Sequence, residues 1–374
     1  GFGYTFNSLT SAAAGHAAES ELATAFAIIF DSARKFRVMT ILQVWFPILR
    51  RLRRENATMR QATATMRRIG LTLIEQRRTQ LFSRNSNTEN AASADERPAR
   101  GKDLLTVLIE SNVTSDPSQR LSTNEILCQI STFLAAGHET SSAALTWTLY
   151  ALAKAPHVQR KLRSALRALN IPADACPDDA AFQRVLGHPY LDACVRESLR
   201  LHAPVTSTMR VAAHADAIPV AAPFRDRAGA LCDHIRVHKG DIVTIPIQAM
   251  HKAAAAWGDD AGEFRPERWT DGGRAGEKDG AGAGAGAGAG VQGLWGGILT
   301  FGSGTVVNGN RSCIGYRFAL NEQVAIKIFL FVLVRDIEFS IDASVEIEKK
   351  VNVVTRPCVK SEPHLGNQMP LYLR

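Results

Sequence analysis

Leu299–Leu320, LTFGSGTVVNGNRSCIGYRFAL, is the stretch on which the reading of this chain turns. Phe301 opens a glycine-rich loop, Arg311 precedes Cys313, Gly315 follows it, and a helix is predicted over Tyr316–Val334. A thiol just ahead of a helix lies near the positive end of the backbone dipole. That position favours the thiolate, the form that binds metals. Glycines on either side let the backbone curl round the sulfur and let a flat ligand approach closely. Taken alone, the same residues also describe a buried structural cysteine beside an ordinary loop.

Three patterns upstream change that weighing. Phe264–Trp269 reads FRPERW, and Glu197–Arg200 reads ESLR, followed by Leu201–Pro204, LHAP. Glu197 and Arg200 share one helix face, as such pairs commonly do on surfaces, where they are worth little. Ala136–Ser141, AGHETS, sits in the middle of a long apolar helix. Glycine there costs about 1 kcal/mol relative to alanine, and a buried carboxylate costs more unless it is satisfied. Ala136 and Thr140 lie on one face and leave a shallow groove beside a hydroxyl. Thr140 can then donate to a ligand in that groove while Glu139 relays a proton to it. A helix kink with Thr140 bonded back to the preceding turn is the plain alternative.

The helix carrying AGHETS starts at a capping box, Ser122 with Glu125, and its apolar residues recur with helical period as far as Leu152, ahead of Pro156. With few charges on its other faces it is expected to be buried nearly all round. Further helices are predicted over Glu21–Leu52, Asn56–Phe82, Asp103–Glu110, His157–Leu169 and His188–Leu201. Short β-like runs follow from Val211 to Val237, Ile242–Ile247, Ile337–Ile341, Val351–Val354 and Leu371–Leu373. Residues 84–101 read as an exposed linker and residues 271–293 as a Gly/Ala-rich low-complexity insertion, too poor in side chains to pack. The fold class is mainly α with small β-sheets (α+β), with 374 residues enough for a large core.

The formal charge of +8 is spread along the chain apart from a cluster at Arg50, Arg51, Arg53 and Arg54. No nucleic-acid motif accompanies it, so no nucleic-acid partner is expected; the cluster reads first as a solvated helix face, and otherwise as peripheral contact with an anionic membrane or an acidic protein partner. Cys128, Cys176, Cys194, Cys232, Cys313 and Cys358 show no CxxC pair, which argues against a disulfide framework or a zinc site. No run is long and apolar enough to span a bilayer.

The cysteine loop resembles FxxGxRxCxG of the cytochrome P-450 superfamily, AGHET resembles that family's [A/G]Gx[D/E]T, and ESLR with PERW resembles its ExxR and PERF/PERW segments. One departure stands out: the five residues Thr305–Gly309 (TVVNG) lie between Phe301 and Cys313 beyond the family spacing. Without them the loop reads FGSGNRSCIG and fits throughout.

The resemblance implies a single, partial cytochrome P-450 domain over residues 1–374, of fungal microsomal type and lacking its amino-terminal third with the membrane anchor. It implies haem b ligated by Cys313, with Arg311 and Arg210 on its propionates. Phe301, Gly315 and Ala136 would lie against the cofactor. Glu139 and Thr140 would deliver protons to dioxygen. Glu197, Arg200 and Arg268 would form a buried charge network behind the loop, and Phe133, Val205 and Thr208 would line the substrate pocket. The implied activity is monooxygenation of a small apolar substrate with O2. Electrons would come from an NADPH–cytochrome reductase, which carries the NADPH and flavin sites, at the cytosolic face of the endoplasmic reticulum membrane. Two rival readings follow from the same residues: a haem-thiolate isomerase or dehydratase, and a non-catalytic scaffold that does not hold haem productively.

Overall fold

The structure, a computed structural model, describes residues 57–88, 103–172, 179–270, 293–295, 297–303, 311–351 and 353–374, and a few isolated positions between 21 and 46. Most of the predicted helix over Glu21–Leu52, the basic cluster at residues 50–54, most of the Gly/Ala-rich tract and Thr305–Gly309 lie outside the described residues. The chain divides into two compact units, Gly1–Ala136 and Gly137–Arg374.

The first unit is helical where it is described. Helix α1 (Ala57–Thr88) and α2 (Leu104–Thr114) are followed by the first turns of α3 (Thr123–Lys154). Their apolar residues fall at helical spacing and meet in one core: Ile69, Leu73 and Ile74 from α1, Leu105 and Ile109 from α2, and Ile126, Leu127 and Ile130 from α3. Gly70 is a point of close approach, since a Cβ there would lie 2.5 Å from Leu127 Cδ2. Helix α1 runs on through residues 84–88, expected as linker, because no proline or glycine interrupts it there. Asp103 caps α2 through its carboxylate, which accepts from the Thr106 backbone N–H at 3.1 Å.

The start of α3 follows the sequence reading. Ser122 N–H donates to Glu125 Oε2 at 2.7 Å, and Glu125 N–H donates back to Ser122 Oγ at 3.3 Å. Ser122→Ala is expected to cost about 1 kcal/mol, read as a lower urea midpoint. The expectation of all-round burial does not hold. From Ser131 to Ser142 every residue is exposed or half-buried. The stretch is rich in Ala, Gly, Ser and Thr, whose small side chains offer little apolar area to bury. Beyond it the helix is buried again at Ala143, Ala144, Trp147, Ala151 and Leu152.

In the second unit, α3 continues to Lys154, and Pro156 opens α4 (Pro156–Arg167), where its missing N–H costs nothing. Helices α5 (Asp179–Leu186) and α6 (Pro189–Leu201) follow. Then come β1 (Thr208–Val211), β2 (Asp216–Arg225), β3 (Leu231–Val237) and β4 (Ile242–Ile245), with two single-turn helices, α7 (Ile247–Met250) and α8 (Ala254–Trp257). After β5 (Gly293–Trp295) and β6 (Ile298–Ser303) runs α9 (Tyr316–Asp336). It is followed by β7 (Phe339–Ser340), β8 (Ile347–Val351), β9 (Thr355–Val359) and β10 (Tyr372–Leu373).

The described strands pair only two at a time, all antiparallel: β1 with β4, β2 with β3, β5 with β6, β7 with β10, β8 with β9. The core is helical. Leu162 and Leu166 of α4, Leu191, Val195 and Leu199 of α6 and Leu330 and Val334 of α9 pack with Trp257, Trp269 and Ile298. This core fixes α6 against the β6 strand, which is what the candidate site needs.

Candidate haem-thiolate site

Helix α6 starts at His188, whose ring nitrogen accepts from Leu191 N–H, and Pro189 occupies its first turn. It is buried along most of its length, and that places a carboxylate where water does not reach. Glu197 is 0% exposed, as is Arg200. The two meet in a fork, Arg200 Nη2 on Glu197 Oε1 at 2.7 Å and Nε on Oε2 at 2.8 Å. Arg268, from the single 3-10 turn Pro266–Trp269, brings its Nε within 3.3 Å of Glu197 Oε1. Trp269 Nε1–H donates to Oε2 at 2.9 Å and the Arg265 backbone N–H to Oε1 at 3.1 Å. One buried carboxylate therefore accepts from two guanidinium groups, an indole and an amide.

The arginines are satisfied in turn. Arg200 also donates to the carbonyls of His251, Ala261 and Glu263, and Arg268 to those of Trp257 and Asp260. Asp260 adds a second negative charge at 3.1 Å from Arg268 Nη2. Burial alone would raise the Asp260 carboxyl, but Arg268 and Arg265 hold it below the usual carboxylate range. A buried charge cluster survives only when its members are mutually paired and hydrogen-bonded, as they are here.

The cysteine loop is anchored to α6 through β6. Thr300 Oγ1 donates to Leu199 O at 2.9 Å, and Leu299 N–H donates to His251 Nε2 at 2.7 Å. Phe301, expected to open a loop, lies within β6 instead, because Ile298–Ser303 pairs with Gly293–Trp295. Its ring meets Trp295 edge-on at 5.9 Å between centroids, and the Arg196 guanidinium covers Trp295 at 4.6 Å. Gly302 takes φ +95°, a conformation that side chains rarely adopt, and a Cβ there would stand 3.0 Å from Ser312 Cα. Ser312 Oγ donates to Ser303 O, closing the two ends of the loop on each other. Cys313 N–H then donates to Phe301 O at 2.8 Å.

Cys313 itself is exposed, and Gly315 is the N-cap of α9. The sulfur thus stands just ahead of a helix N-terminus, as the sequence requires of a thiolate ligand. A Cβ built on Gly315 would be 3.9 Å from Cys313 Sγ, so the glycine leaves that side of the sulfur open. Arg311 is exposed beside it. Among the described residues, no group of three or more His, Cys, Asp or Glu side chains is placed to hold a metal ion.

The remaining predicted residues fall at separate places. Thr208 and Arg210 share the half-buried face of β1, with Arg210 Nη1 donating to Thr208 Oγ1 at 3.0 Å and to Met209 O at 2.9 Å. Val205 is half-buried after α6. Phe133 packs against the core of the first unit, and Ala136 is the last residue of that unit. Glu139 and Thr140, both half-buried, open the second. Glu139 Oε1 meets Arg356 Nη2 of β9 at 2.8 Å. Sequence reasoning gave no role to Arg356 or His251 and named Trp269 only as the end of the FRPERW pattern. Each acts across a long sequence separation.

A family model described as "Cytochrome P450" matches residues 2–361. The chain belongs to the cytochrome P-450 family. Cytochrome P-450 monooxygenase 128 of Postia placenta is 38% identical over 381 residues, covering 100% of this chain and 63% of its own length. Cytochrome P-450 monooxygenase claP of Ampulloclitocybe clavipes is 32% identical, also over 100% of this chain and 63% of the relative. The P-450 chain therefore spans 63% of the length of these fungal relatives. A crystal structure of a cytochrome P-450 (CYP102L1) superposes with a TM-score of 0.63 at 24% identity, over 100% of this chain and 65% of that one, which shows the shared fold. The mainly helical architecture with small sheets is the P-450 fold. Among the described residues, no helix is long and apolar enough to cross a membrane.

Proposed function

We propose that this chain carries the haem-thiolate centre of a monooxygenase, with Cys313 as the metal ligand. The observation that carries the reading is the continuous set of bonds from the Glu197–Arg200–Arg268 cluster through β6 to the backbone of Cys313. The donor set fits the group: one exposed sulfur at a helix N-terminus, with glycine rather than a side chain beside it. Arg311 and Arg210 would take the propionates, Phe301 would shield the sulfur, and Gly315 would leave the sulfur's side open. Bound haem supplies the activation of dioxygen, and the thiolate's electron release assists it.

The chain's own residues supply protons and positions. Thr140 would donate from its hydroxyl to the oxygen side of the groove, and Glu139, held at Arg356, would replenish that proton. Within the second unit, an apolar substrate would rest against Val205 and Thr208. The balanced reaction takes one substrate C–H, one O2, two electrons and two protons to the hydroxylated product and water. An NADPH-dependent flavoprotein reductase at the endoplasmic reticulum membrane would supply the electrons. The retained Glu139–Thr140 pair favours this reading over an isomerase or dehydratase, which needs no proton delivery to dioxygen.

The test is the carbonyl spectrum of the reduced, haem-supplied chain. The expected result is the red-shifted Soret band of a thiolate-ligated haem, lost in Cys313→Ser. A wild-type chain that gives only the shorter-wavelength band, or binds no haem, supports the scaffold reading instead. Deleting Thr305–Gly309 is then expected to restore the red-shifted band if those residues are the cause.

A further inference from the structure

His251 follows α7 and is 0% exposed. Its ring stands between α6 and β6. Nδ1 lies 2.9 Å from Arg200 O, and Nε2 lies 2.7 Å from Leu299 N. An amide N–H can only donate, so Nε2 is the unprotonated nitrogen and Nδ1–H donates to the carbonyl of Arg200. The tautomer is fixed and the ring is neutral. The main chain of the same residue accepts Arg200 Nη1 at 2.6 Å, and the ring edge meets Trp257 at 6.3 Å. His251 therefore holds both the backbone and the guanidinium of Arg200, and passes that position on to the first turn of β6.

We infer that His251 is a positioning residue for Cys313: its Nε2 sets the height of β6, so that the Phe301 carbonyl meets the Cys313 amide and presents the sulfur. The inference rests on the proposed role of Cys313 as ligand. Among the described residues, β6 is tied to α6 directly by Thr300 to Leu199 and, through the His251 ring, by Leu299 to Arg200, and both ties fall within two residues of Phe301. Thr300 can rotate its hydroxyl elsewhere. An imidazole wedged between a buried carbonyl and a buried amide has no such freedom, and removing it leaves both without a partner.

The experiment compares hydrogen exchange in the full chain at residues 298–303 and 311–316 with exchange in α6, for wild type, His251→Phe and His251→Gln. His251→Phe keeps a ring but offers Leu299 no acceptor, so exchange at residues 298–303 and 311–316 is expected to rise about tenfold while α6 stays protected. His251→Gln places a carbonyl oxygen at the reach of Nε2 and is expected to stay within about twofold of wild type at those residues. In the haem-supplied protein, the share of red-shifted carbonyl band should fall in His251→Phe and return in His251→Gln. Unchanged exchange at residues 298–303 in His251→Phe overturns the inference, as does loosening spread equally over α6. If the Phe variant does not fold, the Gln variant decides: near-wild-type protection of residues 298–303 supports the role, and loss of it overturns it. A wild-type chain without the red-shifted band removes the proposed function, while the exchange comparison still decides whether His251 holds the loop.

Discussion

Glu197→Ala is expected to destabilise the second unit by about 3–5 kcal/mol, the cost of leaving buried charges without their partner. The substitution strands Arg200 and Arg268, which are 0% and 6% exposed, and removes the acceptor for Trp269 Nε1 and for the Arg265 amide. Neither guanidinium can escape the charge by losing a proton. Against a typical total stability of about 5–15 kcal/mol, the loss is large enough to leave much of the protein unfolded. Glu197→Gln keeps the shape and one acceptor oxygen, so it should fall between wild type and the alanine variant. Urea unfolding followed by circular dichroism measures both. The exposed pair Lys360–Glu346 is the control, because its 2.8 Å contact lies in water: Glu346→Ala should leave the urea midpoint where it was. If Glu197→Ala behaves like that control, the cluster is not what holds α6 to the PERW turn.

The cluster of Glu197, Arg200 and Arg268 was legible only through the resemblance of ESLR and PERW to the family's segments, because the residue types alone describe an ordinary surface pair. The capping box at Ser122 was legible in the residues themselves: both of its bonds are local. What escaped was long-range. Nothing near Glu139 in sequence points to Arg356, and nothing near Leu299 points to His251; the fold brings each pair together.

Local signals also misled where tertiary pairing decided the outcome. Gly302 and the polar residues after it made β6 look like a loop, yet pairing with β5 draws it into a strand. The β-branched run Val351–Val354 read as a strand. It holds instead the end of β8 and the turn into β9, with Val353 exposed and Val354 buried against Trp147. Helix α5 carried a readable i, i+4 pair, Ala181 and Val185, both buried, but it is only eight residues long. Low charge does not imply burial in α3, where every residue from Ser131 to Ser142 is exposed or half-buried. Small residues satisfy neither water nor core strongly.

Acid should begin to destabilise the second unit before its carboxylates titrate. Burial holds the His251 imidazole down to about 4, against 6.5 for the free side chain. The unfolded chain therefore binds a proton between these values that the folded chain refuses. The stabilisation is fully present above pH ~6.5 and is lost as the pH falls through ~4, where this one ring accounts for about 3 kcal/mol. His202 acts in the same direction: burial, and then the charges of Lys349 and Lys252, push its ring well below the ordinary range, and its Nδ1 has no hydrogen-bond partner. Lys349 extends the effect upward. Its Nζ sits 4.7 Å from the Trp147 ring centre, and burial followed by the nearby Lys252 charge lowers it to about 7. A depressed lysine stabilises the fold most above its unfolded value and loses that contribution as pH falls through the folded one.

The urea midpoint is thus expected to fall steadily from pH 9 to pH 5, with no plateau at neutrality. His251→Gln should lose about 2 kcal/mol less than wild type on going from pH 7 to pH 5. The carboxylates held low by cations, Asp192 beside Arg196 and Lys327 among them, add their share only below that range. A wild-type midpoint that stays level between pH 7 and pH 5 would mean the ring finds a way to charge in place. In that case Leu299 must give up its bond to Nε2 without loosening the fold.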